Sequence, residues 1–557
     1  MNIKQLFEYV PSNDYQFTLK PSISSSSTSV QESTEKNIYT NIALNLKHIE
    51  FAYSTKINSD IMLRHFTLIA KNVQYKAFIL FIDGMVDSDL INRFVLNPLM
   101  LRNDNNTFDG KVKNEMTSQL LKESVSVKKA KKFSLESYIY NNLVPQNNLK
   151  KSSTFSEIIE GVNSGNCALF VDTIGIAFNI DVKGFKQRSV DTPNNEVIID
   201  GPQEAFVENI RINTSLLRRI INNENLIIET TSVGNISKTV VAICYMQNIA
   251  NCELVNEVKY RVNNLSLDSL LSSGQLIQLI QETDKINIPN ILETERPDKC
   301  AKFLLAGRIV IIVNGNPYAI VAPAVLIDFL SSPEDTNLKS LFANFLKLLR
   351  ILAYIVTLLA PGTFVAVTGF HHEILPTELL FSILASREYV PFPIILELLL
   401  MEFSFELIRE SGLRVPAPIG GTLGIVGALI LGDAAVSAHL VSPILIIIVA
   451  ITGLSSFAIP NFSFGFHLRV YRFVFTILGY IAGFLGIGIG IYVYLATLCS
   501  LKSFGVAYLS PFSPNISGFS LKYFVPPFWK QEYRNDFLAP KKQVAQSKYS
   551  MKWKKGE

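Results

Sequence analysis

From about residue 37 to about residue 340, apolar runs of strand length alternate with polar and amphipathic stretches, and after residue 343 the apolar runs lengthen to about 20 residues. Three of the shorter runs resemble one another: AFILFIDG at 77–84, CALFVDTIGIAFNI at 167–180 and IVIIVNGNPYAIV at 309–321. In each, β-branched or aromatic residues lead into an Asp or Asn close to a Gly, the chemistry of a tight turn between strands. Amphipathic helix candidates lie between them. In GPQEAFVENIRINTSLLRRII at 201–221, Phe206, Ile210, Leu217 and Ile220 fall near helical spacing, with Arg211, Arg218 and Arg219 on other faces. This order predicts two soluble α/β subdomains, 37–190 and 195–340, split at the polar stretch around QRSVDTPNNE. Residues 21–36, PSISSSSTSVQESTEK, have too little apolar surface to offset their ordering entropy, so 1–36 is expected to be a flexible arm.

The segment 303–330 has only Arg308 and Asp328 charged, and hydropathy alone reads it as a membrane span. Asn314-Gly315 followed by Pro317, between two β-branched runs, instead predicts a buried hairpin. The segments near 348–368, 419–438, 441–459 and 473–498 do have the length and apolarity for a bilayer, which requires about 20 residues per crossing. The fold class expected is therefore mixed: an N-terminal two-lobed α/β soluble region, then an α-helical polytopic membrane domain over 343–500. Broken or re-entrant helices are expected at 376–412, where PFP interrupts the chain at 391–393.

Charge sharpens this division. The 557 residues carry 51 Lys plus Arg and 47 Asp plus Glu, with a mean hydropathy of +0.26. Residues 343–500 hold 7 basic and 8 acidic side chains, whereas 501–557 hold 10 basic and 3 acidic ones. By the positive-inside rule the basic tail is cytoplasmic, and Lys339, Lys347 and Arg350 place the soluble region on the same side. The soluble part is nearly neutral, which speaks against nucleic acid as a partner. Five cysteines without paired spacing point to reduced thiols, and the N-terminus shows no secretory signal.

Candidate chemistry concentrates at 376–412. Glu397, Glu402, Glu406 and Glu410 sit on one largely apolar helix, the last three at i, i+4 and i+8 on one face. A charge at a bilayer centre costs about 2.5–3.5 kcal/mol on insertion scales, so this face is expected to meet water, protein or headgroups. One reading is a row of carboxylates lining a cation path. The other is an interfacial amphipathic helix with local Glu406–Arg409 and Glu410–Arg414 pairs. Asp433 is a lone acid in an apolar span, and Pro361-Gly362 interrupts the first span as a bend or gate hinge. Gly420, Gly424, Gly479, Gly483, Gly486 and Gly490 repeat at the spacing of close helix packing. His371-His372-Glu373 lacks a further ligand set, so no metal site is expected; no cofactor motif or catalytic signature appears, and no enzyme is expected.

The text HHEILPTELLFSI at 371–383, SREYVPFP at 386–393, RVPAPIGGTLGIVGALILGDAAVSAHLVSPILIIIVAITGLSSFAIPNF at 414–462 and LCSLKSFGVAYLSPFSP at 498–514 resembles the A subunits of GerA-type nutrient germinant receptors. FIDGMVDSDLINRFVLNPLM at 81–100, GPQEAFVENIRINTSLLRRI at 201–220 and GRIVIIVNGNPYAIVAP at 307–323 extend the resemblance to about residues 40–530. Ala507 and His439 depart from it, standing where Pro and a small residue are expected. The resemblance implies a multi-pass protein of the spore inner membrane, with N-terminal region and tail facing the spore core. It implies a transporter-like B subunit and a lipoprotein C subunit as partners, and a homo-oligomer that conducts monovalent cations when nutrient binds. A secondary transporter of ions or solutes and a non-conducting scaffold are the alternatives.

Overall fold

The computed structural model describes residues 17–20, 36–70, 73–100, 134–184, 193, 195–282, 287–414, 432–513, 524 and 526–547. Most of the expected arm 1–36, much of the inter-lobe stretch 186–200, residues 419–431 of one expected span and 548–557 of the tail lie outside them.

Two five-stranded antiparallel sheets form the N-terminal part. The first orders its strands β1-β2-β4-β5-β3: β1 Ile61–Ala70, β2 Val73–Ile82, β3 Leu149–Ser152, β4 Asn166–Val171 and β5 Ala177–Asp181. The second runs β6-β7-β9-β10-β8: β6 Leu226–Val233, β7 Thr239–Met246, β8 Leu292–Thr294, β9 Ile309–Val313 and β10 Ala319–Ala322. The ambiguous segment is thus a hairpin, Ile309 pairing with Ala322 across a turn containing Gly315 at φ 85°.

The order is the same in both lobes, and so are the fastenings. Helix α1, Ile42–Ala52, is capped by the side chain of Asn41, and helix α3, Ile210–Ile220, by that of Asn209. Asn45 bonds the backbone of Tyr39 in both directions, as Asn213 does that of Val207. Asp172 in the β4–β5 turn accepts the amide of Ile42, and Asn314 in the β9–β10 turn accepts that of Ile210. Helices α2, Phe155–Asn163, and α6, Pro297–Leu305, both end at a glycine in the left-handed region, Gly165 at φ 95° and Gly307 at φ 97°. The lobes are one α/β unit written twice, which explains why the runs at 167–180 and 309–321 look alike. On the other face lobe I carries short helical segments at 88–100 and 135–143, and lobe II carries α4, Cys252–Asn263, and α5, Ser273–Ile280.

A buried ion pair locks lobe to lobe. Arg218 of α3 grips Asp60 with two bonds of 2.8 Å and Asn58 at 3.0 Å, while Ser59 bonds Ile228 at the edge of β6.

Beyond lobe II lie helices α7 Ser340–Gly369, α8 Thr377–Arg387, α9 Ile394–Arg414, α10 Pro443–Phe457 and α11 Phe462–Ser500. Of these, α7 and α11 have the length and apolarity to cross a membrane. Residues 473–498, expected to form one span, do not run as one straight helix within α11. Ala482 and Gly483 leave helical dihedrals, Gly483 reaching φ 58°, and the chain doubles back. The rings of His467 and Tyr494 stand 6.0 Å apart, although 27 residues of straight helix would separate them by about 40 Å. A methyl at Gly486 would lie 2.2 Å from the carbonyl oxygen of Leu478, so only glycine permits so tight a return.

Candidate functional site

The acidic helix α9 packs against α10 and α11, and its carboxylates meet arginines. Glu397, fully buried, accepts 3.0 and 3.2 Å bonds from Arg387 of α8 and the amide of Ser442, the N-cap residue of α10. Glu402, also fully buried, lies 3.4 Å from Nε of Arg472 on α11. Glu406 accepts from Arg469 at 2.8 Å and from Arg472 at 3.0 Å. Arg469 and Arg472 share a face of α11 because they are three residues apart. Two carboxylates and two guanidiniums therefore form a neutral quartet between α9 and α11. It is imperfectly satisfied: both oxygens of Glu402 and Nε of Arg472 have no hydrogen-bond partner among the described residues.

The remaining candidates separate from this quartet. Glu410 is exposed and lines an outward cleft with Phe403, Phe466 and Val470. Asp433 is exposed toward the opposite end of the bundle, near Ala435, which packs with Ile394 and Val441. Pro361 and Gly362 are buried within a continuous α7. Gly362 meets α11 so closely that a methyl there would lie 2.6 Å from the carbonyl of Phe475, and one at Gly479 2.5 Å from that of Gly362. This pair is a crossing point of two helices.

The face at i, i+4 and i+8 thus runs from buried Glu402 through half-buried Glu406 to exposed Glu410. Arg409 is not the ion-pair partner of Glu406; its guanidinium lies 4.6 Å over the ring of Phe457 and 3.4 Å from Ser456 Oγ. Of the arginines that do complete the site, Arg387, Arg469 and Arg472, the last two escape a reading that starts the last span at residue 473. Their signal is two arginines at i, i+3 in FGFHLRVYRFVF, a pattern as unusual in apolar text as the acids themselves. His371 takes a local role: its Nε2 accepts the amide of Phe484 at 3.4 Å and its ring stacks on Phe484, holding the turn in α11.

Lobe II and the bundle share a single core. Phe329 stacks on Phe464, Phe464 on Tyr354, and Tyr508 joins them. His467 Nδ1 lies 3.0 Å from the carbonyl of Asn287, linking α11 to lobe II.

An N-terminal α/β part fused through a common core to an apolar helical bundle with buried acid–arginine pairs defines the class. Residues 48–537 match the model of the Bacillus/Clostridium GerA spore germination protein family. The chain belongs to that family. It is 35% identical over 492 residues to spore germination protein KA of Bacillus subtilis (strain 168), covering 88% of this chain and 86% of that protein. An uncharacterized membrane protein of the same strain, YfkQ, is 31% identical over 87% of this chain and 88% of its own length. The crystal structure of the N-terminal domain of the A subunit of the Bacillus megaterium germinant receptor GerK3 is 29% identical, covering 53% of this chain and 98% of that domain, with a TM-score of 0.37.

Proposed function

We propose that this chain is the A subunit of a nutrient germinant receptor. It sits as a multi-pass protein in the spore inner membrane with a transporter-like B subunit and a lipoprotein C subunit. Several copies surround a path for monovalent cations, and its opening starts germination. The observation that carries the reading is the quartet of Glu402, Glu406, Arg469 and Arg472. Ionisable groups buried in an apolar bundle are costly and are retained for function. In this arrangement the carboxylates are neutralised by their arginines, as a closed path requires. Displacing α9 from α11 would free them to attract cations. Moving such a gate from 1:99 to 99:1 needs about 5.5 kcal/mol of differential affinity, which several subunits can share.

The tail supports the orientation proposed here, with lobes and tail in the spore core. Its described part packs on lobe II: Arg534 donates to the carbonyl of Leu305 and the amide of Lys541 to that of Ile249. This packing supports lobes and basic tail on one side, and the positive-inside rule favours the spore core as that side.

Glu402→Gln and Glu406→Gln spores should assemble normal receptor levels yet change nutrient-triggered K⁺ release. Unaltered release at normal levels removes both carboxylates from the path. The same neutrality favours a second reading, a non-conducting scaffold whose quartet only stitches helices. Planar-bilayer currents from the reconstituted subunit, with and without its partners, decide between them.

A further inference from the structure

A cleft of about 320 Å³ opens where lobe II meets the ends of α10 and α11, walled by Val197 and Ile198 on one side and Arg409, Phe457 and Phe462 on the other. Two observations set its chemistry. The first is charge. Glu196 is bound by Lys299 at 2.6 Å, and Glu406 by Arg469 and Arg472, whereas Arg409 has no carboxylate within ion-pair distance among the described residues. The cleft keeps one guanidinium that, among the described residues, is in no ion pair.

The second is an apolar rim at a defined level. Val197 is 73% and Ile199 94% exposed. They do not hang free: the amide of Ile199 donates to Glu334 at 2.6 Å, and Asn337 donates to the carbonyl of Asp200 at 2.8 Å. Both fasteners lie just before α7 begins at Ser340. The exposed apolar faces of the bundle start at the same place, with Leu341 and Phe345 on α7 and with Phe462 and Phe466 on α11. If those faces meet lipid, the loop carrying Val197 and Ile199 meets it too.

We propose that this junction is a docking surface for anionic phospholipid: Val197 and Ile199 enter the boundary of the acyl chains and Arg409 contacts the headgroup phosphate. Exposed apolar side chains beside a cation are the composition that binds the interfacial zone. The proposal rests on the membrane reading above, and it adds that lobe II lies against the bilayer.

The test uses full-length protein in lipid vesicles with Cys252→Ser and Cys499→Ser, since the other three cysteines are buried. An environment-sensitive label is placed in that background at Ile199→Cys or at Tyr492→Cys on the exposed face of the bundle, or, with Cys499→Ser alone, at native Cys252 on lobe II. Vesicles contain phosphatidylcholine and phosphatidylglycerol, with bromine on the acyl chains of one or the other. Quenching at 492 and 199 but not at 252 is expected, because interfacial residues enter about 5–10 Å. Quenching at 492 with position 199 as silent as 252 overturns the proposal, and silence at 492 overturns the membrane reading beneath it. Brominated phosphatidylglycerol should quench position 199 more than brominated phosphatidylcholine, and Arg409→Gln should abolish the difference. Equal quenching by the two lipids in the unsubstituted protein, or a preference that survives Arg409→Gln, overturns the headgroup contact.

Discussion

At the scale of single residues, burial without water makes both ion pairs and thiols consequential. Arg218 and Asp60 are held by two bonds in a buried interface between the lobes. Removing one partner strands the other, which typically costs about 3–5 kcal/mol, whereas replacing both by apolar groups of similar size is far milder. Arg218→Ala should therefore lower the thermal midpoint and loosen hydrogen exchange along β6, and Arg218→Met with Asp60→Leu should recover much of the loss. Equal midpoints for the single and double variants would show that the pair is not the lock. Three thiols give a second expectation. Burial pushes the Cys244 thiol up to about 12 from its ordinary value of 9.0, and raises those of Cys167 and Cys300 as well. The folded chain then keeps protons that the unfolded chain releases. The thiols' contribution to stability is flat below about pH 9 and falls above it, by up to about 1.4 kcal/mol per pH unit for each thiol. Alkaline titration of the thermal midpoint should show the thiol contribution as a difference, Cys244→Ala falling less steeply above about pH 9 than the parent protein; superimposable profiles would contradict it.

At the scale of elements, glycine decides where helices touch. A methyl at Gly479 would fall 2.5 Å from a backbone oxygen of α7, which no side-chain rotation relieves. Gly479→Ala should force α7 and α11 apart at a cost of about 1–3 kcal/mol or more. Gly488→Ala, where a methyl meets nothing within 4 Å, should be nearly silent. Comparable thermal midpoints for the two variants would contradict the crossing point. The spacing of Gly479, Gly483, Gly486 and Gly490 was readable as close packing, and the Asn-Gly turn of the β9–β10 hairpin was readable against its own hydropathy. The reversal at Ala482-Gly483 was not, because an apolar run with glycines at helical spacing reads alike whether it continues or folds on itself. The dihedrals of Ala482 and Gly483 and the contacts of Tyr494 with His467 and Tyr471 distinguish them. The stripe of glutamates was equally plain in the text, while its partners lie more than 60 residues further along the chain. Helical spacing reports which residues share a face and says nothing of which helix that face meets. The repeated lobe was half visible: the strands repeat openly, but the pairing of Asn41 and Asn45 with Asn209 and Asn213 only gains meaning once each side chain is seen fastening its helix.

At the scale of the molecule, the two lobes relate to the bundle unequally despite their common design. Lobe II shares its core with α7 and α11 through Phe329, Phe464 and Tyr508, whereas the two cores of lobe I contain no bundle residue. Strain applied at the bundle should therefore reach lobe II first and lobe I only through the interface around Arg218. Phe464 is the place to apply it, since it is fully buried and stacked between Phe329 at 5.6 Å and Tyr354 at 5.9 Å. Phe464→Ala deletes an aromatic ring from a packed core, a loss of about 3–5 kcal/mol. Hydrogen exchange on the full-length protein should then quicken in β9 and β10 while β1 and β2 keep their protection. A uniform loss across both lobes would mean that they unfold with the bundle as one unit. No change in lobe II would mean that the shared core transmits nothing, and any signal between the lobes and the helices would have to pass through polar links such as His467 to Asn287 and Arg350 to Asp335 instead.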